Sequence, residues 1–341
     1  MTTARTVLTG ATGGLGGRVG RLLADHGVPL RLVVRDPSRA PDLPGAEVVV
    51  ATYDDAAALR SAFEGASSVF LVSAAEHPER VRQHLTAVDA AAAAGVDRVV
   101  YTSFLGAAPD ATFTFARDHA ATEERLRASG LAWTFLRDAF YQDVLPHFAG
   151  ADGTLRGPAG DGRLSAVTRD DVAAAAAAVL TEGAAHDGRT YDLTGPEALS
   201  FDEVAAQLAE VSGRPVSYVR ETVDEAYASR SGYGAPAFEV DGWVSTYTAV
   251  ASVGKLHVSG FLAWVMWLAV HLVYLTAFKN RVTALMHWAV SFVGRGRSER
   301  TATMQQVTAR IYLMRAEAAA QQHEPGPPNR ASLTEAAGRA G

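Results

Sequence analysis

The turn after the first predicted strand constrains this chain more than any other feature. The apolar run Thr6–Thr9 meets three glycines at a fixed spacing, Gly10, Gly13 and Gly16, and a helical pattern follows. Glycine permits a tight turn out of the strand, a close approach of backbone N–H groups to a pyrophosphate, and close packing of helix on strand. We therefore predict a dinucleotide site here, and a glycine turn without a ligand is the alternative.

The end of the second predicted strand indicates which dinucleotide binds. Leu30–Val34 is an apolar run typical of a buried parallel strand. It is followed by Arg35, at the distance from Gly16 where an NAD site usually carries an acid for the ribose 2′-hydroxyl. A guanidinium pairs with a 2′-phosphate in a fork, so Arg35 favours NADPH. Asp36 is adjacent and would favour NADH if the strand ended one residue later.

Strand-like runs alternate with helical stretches through the first half of the chain. The predicted strands are Thr6–Thr9, Leu30–Val34, Glu47–Val50, Ser68–Val72, Arg98–Thr102 and Leu131–Leu136. The predicted helices are Ala56–Phe63, Val81–Ala94, Glu123–Ala128, Val172–Leu180 and Val204–Val211. This alternation predicts an α/β fold with a doubly wound, Rossmann-like parallel sheet.

Ligands of such sheets bind beyond the carboxyl ends of the strands. Small residues follow the fourth strand at Ser73–Ala75, where a nicotinamide or ribose could lie close, and Ser103 ends the fifth strand. Ser103 would either orient a substrate carbonyl or cap the next segment. Further along, Arg169–Asp171 are predicted to cap a helix, and Ser200 with Glu203 forms a predicted capping box.

Charge and composition exclude several classes of function. Residues 1–250 carry 21 Lys and Arg against 33 Asp and Glu, a balance of −12, whereas residues 251–341 carry 10 against 4, a balance of +6. The acidic balance of the first part argues against nucleic-acid binding. The chain has no cysteine, which excludes disulfides and thiolate chemistry, and its ligand-type residues form no metal-binding cluster. The first strand begins too early for a signal peptide, so a cytoplasmic location is expected.

Several motifs in residues 5–250 resemble the atypical short-chain dehydrogenase family typified by NmrA, and within it the NAD(P)H:quinone oxidoreductase branch. The motifs are Thr9–Gly16, Val100–Gly106, Asp118–Glu123, Thr134–Asp138 and Trp243–Thr248. The resemblance implies a Rossmann domain over residues 1–250 with a small C-terminal substrate lobe. It also implies a cofactor, NADPH or alternatively NADH, bound along Gly10, Ala11, Thr12, Gly13, Gly14, Leu15, Gly16, Arg35, Ser73, Ala74, Ala75, Asp138, Ala139, Phe140 and Tyr141.

The resemblance further implies hydride transfer to a quinone or similar small acceptor. Phe115 and His119 stand where ordinary short-chain dehydrogenases carry a catalytic Tyr-x-x-x-Lys pair, which argues against alcohol or ketone chemistry. Phe115, His119 and Tyr141 are expected to line the acceptor pocket, in loops beyond the sheet. His119 is a candidate proton donor because imidazole titrates near neutrality. An NADP-sensing regulatory protein without turnover is the alternative function.

The last ninety residues differ in kind from the rest. Phe261–Phe278 is almost wholly apolar, Val282–Val293 has a polar stripe, and Arg295–Arg300 is a basic cluster. Thr301–Gln322 reads as an amphipathic helix, and residues 323–341 have the composition of a disordered end. We predict an all-α hydrophobic tail over residues 251–322.

This tail resembles the C-terminal membrane-anchoring region of type II NADH dehydrogenases, on Gly260–Leu275 and Phe278–Leu285. The flavin domain of that family is absent, so FAD is not implied. The resemblance implies binding to membrane lipid through residues 259–300, on the inner face of the cell membrane. A buried hairpin packed on a partner subunit is the alternative, and the sequence leaves the oligomeric state open. It also leaves open whether the junction near Val250 is a functional fusion or a rearrangement.

Overall fold

A computed structural model describes residues 5–251 of the chain, in which strands and helices alternate. The strands are β1 (Arg5–Thr9), β2 (Leu30–Val34), β3 (Glu47–Val50), β4 (Ala66–Leu71), β5 (Arg98–Phe104), β6 (Ala132–Asp138), β7 (Thr154–Gly157), β8 (Arg163–Leu164), β9 (Arg189–Leu193), β10 (Leu199–Ser200) and β11 (Ser217–Arg220). The helices are α1 (Gly16–Asp25), α2 (Ala56–Phe63), α3 (Arg80–Ala93), α4 (Thr114–Ala128), α5 (Arg169–Glu182), α6 (Phe201–Ser212), α7 (Val223–Arg230) and α8 (Ala237–Ala251).

Seven of these strands form one parallel sheet in the order β3-β2-β1-β4-β5-β6-β9. The register places Leu8 opposite Leu32 on one side and opposite Phe70 on the other. Strand order reverses direction between β1 and β4, which is where a doubly wound sheet opens a crevice for a ligand. The predicted Rossmann-like fold is confirmed.

Side chains alternate between the two faces of the sheet, as period-2 geometry requires. Leu8, Leu32 and Leu136 belong to the core that α1 and α5 cover. Val7, Val33 and Phe135 belong to the core under α2, α3 and α4. Because both faces are covered, the central strands carry buried apolar side chains on both faces, and most of their polar residues, such as Thr6, Thr102 and Thr134, are buried as well.

Several predicted boundaries needed correction. Strand β4 begins at Ala66 rather than Ser68, and β5 continues to Phe104 because it pairs along its whole length with β6. The largest error concerns α4, which was predicted to begin at Glu123 and begins instead at Thr114. In α5 the residue that caps the helix is Thr168, whose side chain accepts from the Asp171 amide at 3.0 Å, so Arg169–Asp171 form the first turn.

A small lobe follows the sheet. It contains the parallel pair β7–β11 and the antiparallel pair β8–β10, with Leu155, Phe201 and Tyr247 in its core. The predicted capping box is present, since Ser200 and Glu203 bond each other's backbone amides at the start of α6. The family resemblance implied a small C-terminal lobe but gave no bounds for it.

Helix α8 leads from the lobe back to α4. A Cβ on Gly242 would lie 2.5 Å from Cε2 of Phe115, so only glycine allows this approach. The Thr114 amide donates to Oγ of Ser245 at 3.3 Å. Within residues 5–251 no helix is both long and apolar enough to cross a membrane. The predicted helical tail 251–322, apart from Ala251, and the predicted disordered end 323–341 lie outside the described residues.

Candidate functional site

The glycine-rich turn between β1 and α1 is shaped to receive an anion. Gly10 has a φ of +64°, and the Gly13 amide donates to its carbonyl at 2.9 Å. A Cβ on Gly16 would lie 2.3 Å from that same carbonyl oxygen, so a larger residue cannot occupy the position. Helix α1 begins here with no side-chain cap and no acid in its first turn. The Gly17 amide donates to the Gly13 carbonyl and the Arg18 amide to the Leu15 carbonyl, whereas the amides of Gly14, Leu15 and Gly16 have no backbone acceptor within residues 5–251. These three N–H groups and the positive dipole end of the helix can therefore receive a pyrophosphate.

Two arginines flank this turn. Nη1 of Arg18 donates to the Gly14 carbonyl at 2.5 Å, and its Nε is paired with Asp170. The side chain of Arg169 passes over Gly14, with Cδ 3.3 Å from the position a Cβ would take there. Its guanidinium lies 4.4 Å from the ring centre of Tyr141 and pairs with Asp143. Sequence reasoning assigned Arg169 to a helix cap, and so missed a cation placed beside the expected phosphates.

At the end of β2, Asp36 has hydrogen-bond partners within the fold and Arg35 does not, among residues 5–251. Asp36 accepts from the amide of Ser38 at 3.0 Å and from its hydroxyl at 2.7 Å, and these bonds lower the pKa of its carboxyl. That carboxylate therefore organises the turn Pro37–Arg39. The exposed side chain of Arg35 forms no hydrogen bond or ion pair with any residue in the range 5–251. It is thus available to a 2′-phosphate.

The loop Ser73–Ala75 is fixed by side chains from neighbouring elements. The Ser73 amide donates to Oγ1 of Thr102 at 2.9 Å, and the Ala74 amide donates to Nε2 of His84 at 2.8 Å. Nε of Arg80 donates to the Ala74 carbonyl at 2.9 Å. Sequence reasoning missed Arg80 and His84, although their spacing of one helical turn on α3, just after the loop, was available as a signal.

His119 is a buried residue of helix α4 and does not lie in a loop, so that prediction was wrong. Its Nε2 is 2.8 Å from Nη2 of Arg80, and its Nδ1 is 2.8 Å from the Tyr101 hydroxyl. Burial, and then the charge of Arg80, hold its pKa well below the ordinary value. The premise that this imidazole titrates near neutrality is therefore wrong for this site, because the ring is neutral at pH 7.

Phe115 lies one turn before His119 and belongs to a cluster of phenylalanines. Ring centres are 4.8 Å apart for Phe104 and Phe113, 5.0 Å for Phe104 and Phe140, and 5.6 Å for Phe113 and Phe115. We call these four residues the phenylalanine wall: Phe104 ends β5, Phe113 and Phe115 lie at the start of α4, and Phe140 follows β6. Phe113 and Phe115 are buried, whereas Phe104 and Phe140 are half-buried, so the last two offer the ring surface at the carboxyl edge of the sheet on which a flat conjugated molecule could pack.

Asp138 and Tyr141 form a separate pair at the end of β6. The Tyr141 hydroxyl donates to Oδ2 of Asp138 at 2.7 Å, while Oδ1 of the same carboxyl has no hydrogen-bond partner in the described part of the chain. Asp138 is 3% exposed, and burial raises its pKa to about 7. Tyr141 packs with the core under α1 and α5, against Arg169. The structure thus brings Phe115 and His119 together but places Tyr141 on the side of the glycine-rich turn.

Ser103 is not free to orient a substrate. Its hydroxyl donates to Oε1 of the buried Glu123 at 2.6 Å, and Arg137 and Arg127 also bind that carboxylate. Burial raises the pKa of Glu123, but the hydrogen bonds from Arg137 and Ser103 outweigh this effect and hold it below the ordinary value. The cluster therefore fastens α4 to β5 and β6 as a charged, satisfied network.

Comparison with known proteins agrees with this geometry. A family model described as NAD(P)H-binding matches residues 10–183. The NAD(P)H azoreductase of Xenophilus azovorans is 34% identical over 246 residues, which are 71% of this chain and 85% of that protein. The NADPH-dependent quinone oxidoreductase QOR2 of Escherichia coli, solved with NADPH, superposes with a TM-score of 0.68 at 34% identity, covering 77% of this chain and 94% of that one.

A shorter similarity involves a larger enzyme. The type II NADH:quinone oxidoreductase NdhA of Mycobacterium tuberculosis is 45% identical over 78 residues, which are 23% of this chain and 17% of that protein. Because the match covers only 17% of that protein, its activity is not assigned to this chain.

Proposed function

The chain belongs to the NAD(P)H-binding family and is an NAD(P)H-dependent oxidoreductase, and from that premise we propose that it reduces quinones or similar flat conjugated acceptors with NADPH. The observation that carries the proposal is the phenylalanine wall, which lies at the same sheet edge as the glycine-rich turn and the loop Ser73–Ala75. An apolar aromatic surface beside a dinucleotide site suits an acceptor that is itself planar and apolar.

The residues present fit the cofactor. The uncapped N-terminus of α1 and the glycines that permit its approach to β1 would hold the pyrophosphate, with Arg169 beside it. Arg35 would pair with the 2′-phosphate, and Ser73–Ala75 with Asp138–Tyr141 would border the nicotinamide. When bound, NADPH supplies a hydride. The protein's part is to hold the acceptor against the phenylalanine wall and to keep water from that contact.

Proton supply follows from the state of His119. The ring is neutral, and both of its nitrogens are engaged by Arg80 and Tyr101, so no imidazolium stands ready to protonate the product. A quinone needs little help, because its reduced oxygens can take protons from water. An isolated ketone needs an acid at the carbonyl during the transfer. The site therefore favours quinone-type acceptors over simple ketones and alcohols.

Steady-state oxidation of NADPH with a panel of quinones, an azo dye and simple ketones tests this proposal. We expect turnover with quinones and none with ketones. Replacement of Phe104, a half-buried member of the phenylalanine wall, by Ala should raise the KM for a quinone with little change in NADPH affinity. Tight NADPH binding without oxidation by any acceptor would instead support a cofactor-sensing regulatory protein.

We also propose that residues 259–300 attach the protein to membrane lipid, on the basis of the apolar run Phe261–Phe278 and the basic cluster Arg295–Arg300. Both features lie outside the described residues. Sedimentation with liposomes tests this: the full chain should pellet with anionic vesicles, less so at high salt, and a chain ending at Ala251 should stay in the supernatant. Equal sedimentation of both chains would contradict the proposal.

A further inference from the structure

Ala74 is held at both of its backbone groups by two side chains of helix α3. Its amide donates to Nε2 of His84 at 2.8 Å, and its carbonyl accepts from Nε of Arg80 at 2.9 Å. His84 is fully buried and Arg80 is 4% exposed. The backbone groups of a loop residue usually bond to water or to other groups of a turn. At Ala74 both backbone groups are instead hydrogen-bonded by buried polar side chains, which fixes the position of this loop.

The hydrogen bonds determine how the two histidines of this cluster are protonated. Because a backbone amide can only donate, Nε2 of His84 is an acceptor, and its proton sits on Nδ1, 2.9 Å from Oγ1 of Thr122. By the same reasoning Arg80 donates to Nε2 of His119, which leaves the proton of His119 on Nδ1, toward Tyr101. Both rings are therefore neutral, with one donor and one acceptor each satisfied.

The cluster connects the two sides of the candidate site. Arg80 binds the Ala74 carbonyl, His119 and the Phe115 carbonyl, the last at 3.4 Å, and its guanidinium lies 5.8 Å from the ring centre of Phe115. One buried cation thus fixes both the loop after β4 and the turn of α4 that carries part of the phenylalanine wall. Burying a guanidinium is costly unless its donors are satisfied in good geometry, as they are here.

We propose that Arg80 and His84 are positioning residues, which hold the backbone of Ala74 in the place that the nicotinamide end of the cofactor requires. The inference rests on the proposed function in one respect, namely that Ser73–Ala75 border the cofactor. Neither side chain touches the reacting atoms. They act by fixing the distance between the nicotinamide and the acceptor. Hydride transfer is fast when the two are held close and aligned, and a displacement of about 1 Å can lower the rate as much as a hundredfold.

A pair of substitutions at His84 separates positioning from mere structure. The amide nitrogen of Asn occupies the place of Nδ1, so His84→Asn keeps the bond to Thr122 and loses the acceptor for Ala74. The end of Gln reaches the place of Nε2, so His84→Gln restores an acceptor to the Ala74 amide. His186→Asn is the matched control, because His186 is also hydrogen-bonded but lies before β9, at the opposite edge of the sheet.

Three measurements on the full chain are needed. Hydrogen–deuterium exchange of the cofactor-free protein, read on the peptide that spans Ser73–Ala75, should accelerate about tenfold in His84→Asn and stay near wild type in His84→Gln. Calorimetry should give NADPH dissociation constants within about threefold of wild type for both, because the adenosine and pyrophosphate contacts remain. With a quinone, kcat should fall about tenfold or more in His84→Asn and recover in His84→Gln.

Equal losses in both His84 variants, with unchanged exchange at the loop, would overturn the proposal, as would a wild-type kcat in His84→Asn. If His84→Asn does not fold, Arg80→Lys takes its place, because lysine keeps the charge but cannot bind the Ala74 carbonyl and His119 together. A folded Arg80→Lys protein with wild-type kcat would also overturn it. Exchange and NADPH affinity need no acceptor, so they separate failure of this inference from failure of the proposed quinone reduction.

Discussion

Arg80 and His119 share a hydrogen bond of 2.8 Å that joins helix α3 to helix α4 inside the protein. The guanidinium has no acceptor capacity, so the imidazole must present a lone pair, and the ring must be neutral. A second argument applies to His84 on the same network, whose Nε2 accepts from the Ala74 amide, so this ring is neutral too. Two histidines that are neutral because of where they are buried make the stability of the fold depend on pH.

Stability should fall as pH drops below about 6.5. Burial, and then the charge of Arg80, lower the pKa of His84 from 6.5 to about 3, so between these values the unfolded chain binds the proton and the folded chain does not. Its contribution is complete above pH 6.5 and is lost progressively toward pH 3, at about 1.4 kcal/mol per pH unit. Urea unfolding at pH 8 and pH 5 checks this. The His84→Gln protein should lose about 2 kcal/mol less than wild type over that interval.

Asp138 should make stability change with pH in the opposite direction to His84. Its pKa is raised from 3.8 to about 7, so between these values the folded chain binds the proton and the unfolded chain does not, and this group makes stability fall as pH rises from 4 to 7. Asn at this position cannot ionise but still accepts from Tyr141. Relative to wild type, Asp138→Asn should gain about 1.4 kcal/mol per pH unit across that range and then level off. Asp192→Asn, at an exposed carboxylate on β9, should show no such gain.

Arg35 should decide between the two nicotinamide cofactors. Loss of a charge-assisted pair with the 2′-phosphate should weaken NADPH binding by about 1.5–3 kcal/mol in Arg35→Ala and leave NADH binding nearly unchanged. Arg60→Ala removes the same charge from the exposed face of α2 and serves as the control. Calorimetric titration of NADPH and NADH into wild type and the two variants gives the six affinities, and an equal loss for both cofactors in Arg35→Ala would reject the assignment.

Gly16 should not tolerate any side chain. A Cβ there would press on the Gly10 carbonyl at 2.3 Å, so Gly16→Ala should open the turn, lower stability and abolish NADPH binding. Gly232 makes the matched comparison, because a Cβ there meets nothing within 4 Å. Gly232→Ala should bind NADPH like wild type. Thermal unfolding and calorimetry on the two proteins settle the point, and normal binding by Gly16→Ala would show that the turn has more freedom than its geometry indicates.

Local sequence patterns predicted the bounds of those helices and strands whose ends are set by their own residues. The bounds of Leu30–Val34 and Ala56–Phe63 are those predicted from the sequence. The first is delimited by its apolar run, and the second begins at a local capping residue. The capping box at Ser200 and Glu203 is local in the same way. Helix α4 was predicted nine residues too short, because Phe113 offers no capping side chain and the start is fixed instead by Ser245 of α8.

The functional side chains depended on contacts that no local pattern contains. Arg80 and His84 lie one turn apart on a helix, and the sequence does not show that both are buried, because it is α4 that packs over them. The same approach lowers the pKa of His119 and removed its predicted role as an imidazolium. Arg169 read as a helix cap, whereas the fold lays it across Gly14, a neighbour far away in the sequence.

The position of β9 at the edge of the sheet has a consequence for synthesis on the ribosome. The Ala139 amide, in the loop that borders the cofactor, donates to the carbonyl of Leu193 at 2.9 Å, and β6 has no second neighbour until β9 joins it. A nascent chain that stalls after β6 therefore exposes a long unpaired strand edge, open to pairing with another nascent chain on the same polysome. In such a chain the glycine-rich turn is already synthesised, but the loop at Ala139, on the other side of the binding crevice, cannot yet form its hydrogen bond to Leu193 of β9.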